Sequence, residues 1–411
     1  CVAVWGCKMI APKLRFSEFK DEWNEKLLSD FTTFSKGKGL SKSDIVKNGK
    51  NPCIRYGELY TTYGSTISEA ISYTNLDKNN CVLSKKNQII IPSSGETQID
   101  IATASCVLSD DIILGGDLNI LTTNENGIFL AYYLSSAKKN DIAQLAQGNS
   151  VVHLYAKELA TLKINYPSKE EQTKIAEFLS TVDNKISQLS RQLELLNQYK
   201  KGVMQKIFSQ EIRFKNDNGE DFGEWEEVPL NQIASKVTVK NRGNKVTEVL
   251  TNSATQGIIK QSDFFDREIV SESNINGYYV VEVDDFVYNP RISVHAPVGP
   301  IKRNKITQGI MSPLYTVFRF KEGNLDFLSY FFGTYFWDDY VKSVANSGAR
   351  HDRMNITNSD FLEMPILLPS IQEQEKIAEF LTAIDERIDH TTAQLTHTKQ
   401  WKKGLLQQMF V

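Results

Sequence analysis

Apolar residues recur at steps of three and four along two long stretches of this chain. In the first stretch they are Ile175, Phe178, Val182, Ile186, Leu189, Leu193 and Leu196. In the second they are Ile377, Phe380, Ile384, Ile388 and Leu395. Such spacing lines the apolar side chains along one narrow face of a helix, as in a coiled coil. We predict two helices of about 36 residues, each roughly 54 Å long, whose apolar faces form an interface.

Both predicted helices open with the same capping sequence. Ser168 stands three residues before Glu171 at the start of the first helix, and Ser370 stands three residues before Glu373 at the start of the second. In a capping box the serine oxygen accepts a hydrogen bond from a free backbone N–H, and the glutamate accepts one from the serine N–H. We expect both hydrogen bonds at each helix start.

The two helices belong to an internal repeat. Residues 167–208 align without a gap to residues 369–410, which lie 202 positions further on, with 20 identities in 42 positions. A shorter motif recurs near the front of each half, as Arg15-Phe16 with Glu22-Trp23 and as Arg213-Phe214 with Glu224-Trp225. A repeat of this length predicts a chain built from two equivalent halves.

The stretches between the repeated segments share little sequence. They alternate strand-like runs, rich in β-branched and aromatic residues, with Gly and Pro turns. We predict strands at residues 88–91, 111–114, 278–283, 285–288 and 315–320, and helices at residues 128–136 and 325–340. Each stretch therefore reads as a globular body with mixed α and β structure.

These elements predict an α+β fold with a pseudo-two-fold internal repeat. Two globular bodies, residues 9–165 and 211–367, are joined by two long antiparallel coiled-coil helices, residues 166–210 and 368–411. We favour packing of the two apolar helix faces against each other, because such long faces need a partner. Packing of each helix on its own body is the alternative.

The net charge of the chain does not indicate its class of protein, but the local distribution of charge is informative. The formal net charge is −3 and the isoelectric point is about 6.1, which gives no overall support for nucleic-acid binding. Two segments are nevertheless basic: residues 31–50 contain five lysines and one acid, Asp44, and residues 286–305 contain no acid. These segments are either solvated loops or binding surfaces.

Five cysteines, an odd number without metal-ligand spacing, indicate a reduced cytoplasmic protein with no metal site; they are Cys1, Cys7, Cys53, Cys81 and Cys106. No apolar run approaches the roughly 20 residues that cross a bilayer, so we expect no membrane association. Residues 1–8 are either a leader placed before a natural start at Met9 or part of the protein, and both alternatives stay open.

Familiar catalytic signatures are missing from the sequence. It has no Gly-x-x-x-x-Gly-Lys-[Ser/Thr] phosphate loop, no His-Glu-x-x-His zinc motif and no Gly-x-Ser-x-Gly nucleophile turn. Asn289-Pro290-Arg291 matches only half of the Asn-Pro-Pro-aromatic motif of adenine methyltransferases. We therefore predict no catalytic residue, and favour a recognition protein over an enzyme or a scaffold that binds proteins alone.

The duplicated order resembles the specificity subunit of type I restriction–modification systems. The likeness is carried by Pro167-Ser168, Glu171-Gln172 and residues 175–179, and by their copies at Pro369-Ser370, Glu373-Gln374 and residues 377–381. The segments before each helix and the Arg-Phe and Glu-Trp motifs match as well, so that the likeness covers nearly the whole chain after Met9.

This resemblance implies that each body is a target recognition domain that reads one half of a split double-stranded DNA sequence. It also implies that the helices set the gap between the halves and dock two methyltransferase (M) subunits, which restriction (R) subunits join. S-adenosylmethionine, ATP and Mg²⁺ then belong to the partner subunits, and this chain binds no cofactor. The alternatives are a subunit of a methyltransferase-only or other restriction system, and a self-contained DNA-modifying enzyme.

The resemblance does not identify base contacts, so the candidates follow from chemistry. Lys and Arg neutralise phosphates, whereas Arg, Asn, Gln and Ser hydrogen-bond with base edges. In the first body the candidates are Lys36, Lys38, Lys42, Arg55, Tyr56, Ser93, Ser94 and Gln98. In the second body they are Lys240, Arg242, Asn252, Asn289, Arg291, Lys302, Arg303, Arg350, His351 and Arg353.

Glycines accompany two of these regions. Gly37 and Gly39 separate the lysines of the first body, and we expect them to let the backbone approach a phosphate closely. Gly202 and Gly404 hold matching places near the ends of the two helices, where Gly costs ~1 kcal/mol relative to Ala. Close helix or subunit contact would explain this recurrence, and a frayed helix end is the alternative.

Overall fold

A computed structural model describes residues 11–148, 151–263, 272–346 and 352–410 of the chain. The chain divides into two compact units: Cys1–Arg191 with Thr392–Val411, and Gln192–Thr391. The boundaries predicted from sequence separate bodies from helices, whereas each compact unit contains one body and parts of both long helices. Residues 1–8, where a leader was considered, lie outside the described residues.

The first unit consists mainly of short strands. Its strands are β1 (Asn24–Leu27), β2 (Thr32–Lys36), β3 (Asn51–Ile54), β4 (Thr66–Ile67), β5 (Ser72–Thr74), β6 (Ile89–Pro92), β7 (Ser94–Gly95), β8 (Ser105–Val107), β9 (Ile113–Leu114), β10 (Leu118–Thr123), β11 (Val152–His153) and β12 (Lys163–Tyr166). Its helices are α1 (Tyr56–Thr61), α2 (Gln98–Ile101), α3 (Gly127–Ser135), α4 (Lys139–Leu145), α5 (Ala156–Leu159) and the long α6 (Lys169–Phe208), which continues into the second unit.

The core of the first unit lies between a five-stranded sheet and the helices. The strand order is β2-β10-β6-β8-β4, and a three-stranded sheet of order β5-β3-β9 stands beside it. Helix α3 is buried almost all round: Phe129, Tyr132 and Tyr133 are at most 1% exposed. The same core contains Phe410, whose ring centroid lies 5.6 Å from that of Phe129. A residue that follows the second body in the sequence therefore completes the core of the first unit.

The second unit has fewer strands and a similar plan. Its strands are β13 (Glu226–Pro229), β14 (Ala234–Lys236), β15 (Leu250–Ser253), β16 (Gly257–Lys260), β17 (Tyr279–Val281), β18 (Phe286–Tyr288), β19 (Ile301–Arg303), β20 (Gly309–Met311), β21 (Thr316–Phe320) and β22 (Pro365–Leu368). Its helices are α7 (Leu230–Ile233), α8 (Leu325–Phe331), α9 (Asp338–Val344), α10 (Asn358–Leu362) and α11 (Ile371–Gln408), whose last part belongs to the first unit.

The central sheet of the second unit has the order β14-β21-β18-β19. Its core is rich in aromatic rings: Phe286, Phe318 and Phe327 are fully buried, and the Tyr288 ring stacks on Phe361 with centroids 4.8 Å apart. Ile207 and Phe208, at the end of α6, pack into the same core. Each body thus combines a central sheet with helices, as the predicted mixed α/β pattern requires; the second sheet is antiparallel, whereas β4 and β8 of the first are parallel.

A two-stranded ribbon leads into each long helix and is the same in both units. In the first unit β1 pairs antiparallel with β12, with Asn24 opposite Tyr166. In the second β13 pairs antiparallel with β22, with Glu226 opposite Leu368. Both pairs of residues are separated from their counterparts by the repeat length of 202 positions. The repeat found in the sequence is therefore also a repeat of strand register.

The two long helices are slightly longer than predicted and lie antiparallel. Helix α6 has 40 residues and α11 has 38, which correspond to about 60 and 57 Å. Within the first unit the early part of α6 lies beside the late part of α11, where the rings of Phe178 and Trp401 are 5.9 Å apart. Within the second unit Lys200 of α6 pairs with Asp385 of α11. The predicted α+β architecture with two antiparallel helices is confirmed.

One predicted helix is wrong in its extent. The helix predicted at residues 325–340 is two helices, α8 and α9, with an irregular segment from Phe332 to Trp337 between them. Gly333 lies in this break, where an added Cβ would stand 3.1 Å from the Tyr330 carbonyl oxygen. The break turns Phe332 and Trp337 towards each other, with centroids 6.0 Å apart in the core.

The described residues contain the three cysteines Cys53, Cys81 and Cys106, all as free thiols. Burial raises the pKa of Cys53 to about 11 and that of Cys106 to about 12. Over the same part of the chain, no group of three or more His, Cys, Asp or Glu side chains is placed to hold a metal ion. None of the helices described is long and apolar enough to cross a membrane.

Candidate nucleic-acid interface

An arginine from the front motif of each half holds the glutamate at the start of the long helix. In the first unit Arg15 donates from Nε and Nη2 to Glu171, at 2.7 Å each. In the second, Arg213 donates to Glu373 at 3.1 and 2.7 Å. The hydrogen bond to the buried glutamate raises the pKa of each arginine. This pair attaches the front of each half to its helix.

These arginines change the predicted capping box. The serine half is present, because the backbone N–H groups of Glu171 and Glu373 donate to Ser168 Oγ and Ser370 Oγ at 3.4 Å. The glutamate half is wrong: among the described hydrogen bonds, both carboxylate oxygens accept from an arginine side chain instead of the serine N–H. A buried carboxylate gains more from a bidentate guanidinium than from one amide.

The glutamine that follows each glutamate connects the helix to its body. Gln172 Nε2 donates to the Pro167 carbonyl at 3.0 Å, and Gln172 Oε1 accepts from the Asn126 N–H at 3.0 Å. In the second unit Gln374 makes the matching bonds to Pro369 and Asn324. Asn126 and Asn324 are the N-caps of α3 and α8. The buried Glu-Gln pair therefore connects the start of each long helix to its body.

A tyrosine–aspartate–lysine group, not predicted from sequence, joins three helices in the first unit. Tyr132 of α3 donates to Asp183 Oδ2 at 2.6 Å, and Lys402 of α11 lies 2.5 Å from Asp183 Oδ1. Burial, followed by the charge of Asp183, raises the pKa of Tyr132. Lys402 Nζ also stands 5.4 Å from the Tyr132 ring centroid.

The second unit contains the same group. Tyr330 of α8 donates to Asp385 Oδ2 at 2.8 Å, and Lys200 of α6 lies 2.5 Å from Asp385 Oδ1. The aspartate and lysine of both units are identical at matching places in the repeat. The polar identities between the two helix copies therefore carry a signal for this group, which the apolar positions do not show.

The apolar helix residues divide between two partners. Ile175 and Val182 are buried in the core of the first body, which also contains Leu405 of the neighbouring helix. Ile377 and Ile384 do the same in the second body, beside Ile207 of α6. Packing on the body and packing on the other helix therefore occur together. Phe178, Ile186, Leu193, Leu196, Phe380, Ile388 and Leu395 are half-buried, and Leu189 is 2% exposed.

The two helix glycines face open space. A Cβ added to Gly202 or Gly404 would meet no neighbouring heavy atom within 4 Å. Both lie inside regular helix, so that neither marks a frayed end. Close packing within the chain does not account for them, and contact with another subunit stays a prediction.

The three candidate lysines of the first body lie at the end of β2 and in the exposed segment that follows it. Lys36 ends β2, Lys38 follows it, and Lys42 begins a short 3₁₀ helix; all three are exposed and have no ion pair with a described residue. The glycine between the first two has a different role from the one predicted. A Cβ on Gly37 would lie 1.9 Å from the Gly115 carbonyl oxygen, so that Gly37 permits close packing inside the protein.

Most of the other candidates of the first body are less accessible to a ligand. Arg55 donates to Glu58 at 3.3 Å, and Tyr56 packs against an apolar cluster. Ser93 and Ser94 are each 7% exposed; Ser93 directly follows β6, and Ser94 begins β7, which pairs with β11. Gln98, at the start of α2, is exposed.

Among the candidates of the second body, Arg242 and Arg291 are exposed and make no side-chain ion pair with the described residues. Lys240 donates to the Gly277 carbonyl and covers the Tyr279 ring at 3.5 Å. Arg353 is half-buried beside Asp352. Arg350 and His351 lie outside the described residues.

Two asparagines predicted to read DNA are buried in the second body. Asn252 is 3% exposed and donates to the Val287 and Pro300 carbonyls at 2.7 and 3.2 Å. Asn289 is 8% exposed and donates to the Asn252 carbonyl at 3.0 Å. Their donors are directed into the body.

Two basic residues of β19 are partly buried in the second unit. Arg303 forms ion pairs with Asp284 and Asp326, at 2.7 and 3.0 Å. Lys302 lines a cleft of about 1100 Å³ together with Lys200 and Tyr330. Desolvation, followed by the charge of Lys200, lowers the pKa of Lys302.

A known domain family matches the same two halves of the chain. The family model of the type I restriction modification DNA specificity domain matches residues 20–198 and again residues 223–398. The chain belongs to this family. Each match begins near the Glu-Trp motif and ends within a long helix, so the repeated frame and the body between its parts are both included.

Relatives in this family cover most of the chain. The type I restriction enzyme MjaVIII specificity subunit of Methanocaldococcus jannaschii is 26% identical over 406 residues, 94% of this chain and 91% of that protein. The putative MjaX specificity subunit of the same organism is 28% identical over 313 residues, 72% of this chain and 70% of that protein.

Solved structures of the type I specificity family share the fold. The S subunit of a type I restriction–modification system from M. genitalium covers 98% of this chain and 99% of its own, with a TM-score of 0.61 at 16% identity. A chain from a study of complex assembly and conformational transition of a type I system covers 93% and 96%, with a TM-score of 0.52 at 14% identity.

Proposed function

We propose that this chain is the DNA specificity subunit of a type I restriction–modification complex. Each body would read one half of a split target, and the two long helices would fix the gap between the halves. One observation carries the proposal: the two halves repeat their frame down to strand register and ion pairs, whereas the bodies within the frame differ. Two different recognition bodies on the same repeated frame suit a target whose two halves differ in sequence.

The helices are long enough for this task. Half-sites on one face of B-DNA are about 34–36 Å apart from centre to centre, whereas α6 has 40 residues and extends over about 60 Å. Adding one helical turn to both helices would lengthen the spacer by about 5.4 Å, which is one to two base pairs. The permitted gap would change while both half-sites stay the same.

We further propose that the helices bind two methyltransferase subunits, and that the chain itself is not catalytic. S-adenosylmethionine would bind to those subunits, and ATP and Mg²⁺ to restriction subunits that join them. Leu195, Tyr199 and Trp401 support a docking role, because they are 47%, 54% and 53% exposed on the helices. Gly202 and Gly404 leave the backbone open to close approach there.

The exposed basic residues supply the attraction for DNA in this proposal. Lys36, Lys38 and Lys42 form one group in the first body, and Arg242 and Arg291 lie in the second. Each phosphate that a lysine or arginine neutralises contributes a slope of about −0.9 to the logarithm of the binding constant against the logarithm of salt concentration. Changing the three lysines to alanine should flatten that slope by nearly three units and leave the preferred sequence unchanged.

Body exchange tests the proposal directly. The chain is purified with its methyltransferase subunits, its first body is replaced by that of another specificity subunit, and methylated adenines are mapped. One half of the methylated sequence should change and the other should stay. An exchange that leaves both halves as they were would refute the proposal. Methylation or cleavage by this chain alone, with S-adenosylmethionine and Mg²⁺, would instead establish a self-contained enzyme.

A further inference from the structure

A short hairpin leaves the inner strand β18 of the second body. Ser293 and Ala296 exchange two backbone hydrogen bonds, at 3.0 and 3.1 Å, so that Val294 and His295 form a two-residue turn. The first arm of this hairpin pairs with the segment at Asp352, because the Ile292 N–H donates to the Asp352 carbonyl at 3.1 Å. Backbone hydrogen bonds therefore hold both the turn and the first arm of the hairpin.

The base of the hairpin is held by side chains that cannot move freely. Asn289 accepts from the Arg291 N–H at 3.1 Å and donates to Asn252, and the Tyr288 hydroxyl donates to the Val298 carbonyl at 2.8 Å. Gly299 has a φ of +85°, and a Cβ there would lie 2.0 Å from the Asn289 carbonyl oxygen. These buried contacts fix the hairpin before any partner binds.

The tip of this fixed hairpin exposes apolar and basic side chains. Val294 is 95% exposed and Ile292 is 39% exposed. Arg291 is exposed beside them, and residues 286–305 contain no acid. Apolar and basic side chains on a loop that is already fixed can contact a partner without a further cost of ordering the loop.

The first body has an ordered loop in the same topological place. β6 is the inner strand there, and the loop after it pairs with β11, with Ser94 opposite His153. Its outer part presents Glu96, Gln98 and Ile99, which is 49% exposed. The two loops share their position and not their residues, as elements that read different sequences require.

We propose that the hairpin tip, Arg291 to His295, reads base edges in the major groove of one half-site. The loop at residues 93–99 does the same for the other half-site. This inference rests on the proposed function and names the reading element. The groove is about 12 Å wide and admits a two-stranded ribbon, arginine can bind guanine O6 and N7, and valine can contact the thymine methyl group.

The test uses the complete complex with its methyltransferase subunits. Val294→Ser and Arg291→Ala are compared with Val283→Ser, a matched control because Val283 is 48% exposed and lies outside the hairpin. We expect each hairpin variant to weaken binding to the target roughly 5- to 150-fold and to relax base preference in one half-site. The control should bind like the parent.

Different results would overturn the base-reading role of the hairpin and the proposed function of the chain. If both hairpin variants keep the parental affinity and methylated sequence, the hairpin does not read bases, although the proposed function stands. Equal weakening on all sequences would assign the tip to phosphate contact and overturn base reading. A parental complex without any sequence preference would overturn the proposed function itself. Thermal unfolding of each variant shows whether the fold is unchanged.

Discussion

Lys402 and Asp183 join the two long helices inside the first unit, with 2.5 Å between Nζ and Oδ1. Tyr132 of the body donates to the second carboxylate oxygen at 2.6 Å. The second unit has the matching three residues, with lysine and aspartate exchanged between the helices. A polar group at one position of an apolar helix pair selects its register, because every shifted register leaves it without partners.

Replacing the aspartate of this group should cost stability in the first unit. Asp183→Asn removes the charge opposite Lys402, whose side chain is 21% exposed, and we expect the free energy of unfolding to fall by about 1–3 kcal/mol. Denaturant unfolding measures the change. Glu211→Gln is the control, because the Lys206–Glu211 pair is 50% and 61% exposed and should contribute less than about 1 kcal/mol. Equal effects of both variants would contradict the register role.

The two buried glutamates should respond unequally to loss of their arginines. Arg15→Ala leaves Glu171 as an uncompensated charge at 1% exposure, which should cost about 3–5 kcal/mol. In the second unit Trp225 Nε1 also donates to Glu373 at 3.2 Å, whereas buried Trp23 Nε1 has no partner among the described residues.

Because that indole bond survives, Arg213→Ala should cost about 1 kcal/mol less than Arg15→Ala. Hydrogen exchange, followed separately for peptides of each unit, measures the two losses. Adding Trp225→Phe to the Arg213→Ala background should remove the difference. Loss of equal size in both units before that addition would show that the indole bond has no energetic role.

Lys302 should be a residue whose removal stabilises the protein. Its pKa is lowered from 10.5 by desolvation and by Lys200, so the folded state binds its proton less well than the unfolded state does. Stability should therefore rise with pH between the lowered pKa and 10.5, and the cost of the charge is fully present at neutral pH.

Lys302→Met should raise the melting temperature at neutral pH by about 2–4 °C, which corresponds to ~1 kcal/mol in a unit of this size. It should also remove the alkaline rise in stability. Calorimetry at pH 7 and above pH 9 measures both effects. Lys305→Met, which removes a 2.8 Å ion pair with Asp326, should not stabilise. A lower melting temperature for Lys302→Met would disprove the desolvation cost.

Gly299 and Gly257 provide a matched pair for the hairpin base. Both have positive φ, +85° and +74°, but only at Gly299 would a Cβ meet backbone, 2.0 Å from the Asn289 oxygen. Gly257→Ala should cost about 1 kcal/mol for its backbone conformation alone, and Gly299→Ala clearly more. Unfolding measurements on both variants test this, and equal losses would show that the hairpin base yields easily.

The frame of this protein could be predicted from sequence because it occurs twice. Apolar periodicity and the Pro-Ser openings locate both long helices within a few residues. The irregular break after α8 could not be read, because Phe332 and Trp337 suit a buried helix as well as a buried turn. Secondary-structure propensity does not show that these two rings meet in the core.

The exposure of the candidate DNA contacts could not be read from the sequence, for a related reason. Asn252 and Arg291 both have the chemistry to bind a base, and only the fold shows that one is buried and the other exposed. Asn289 illustrates the same limit, since its amide orders the loop that carries Arg291. The sequence offers no reason to select Val294, because only the structure shows that this apolar side chain is 95% exposed.

The core that contains Phe410 has a consequence for synthesis on the ribosome. Phe129 and Tyr133 leave the ribosome before the second unit is made, yet the Phe410 ring that they pack against is translated after it. The first unit must therefore wait, with its aromatic face uncovered, while the whole second unit is made. During that interval we expect a chaperone client rather than a finished domain, and the second unit should be the first to reach its native core.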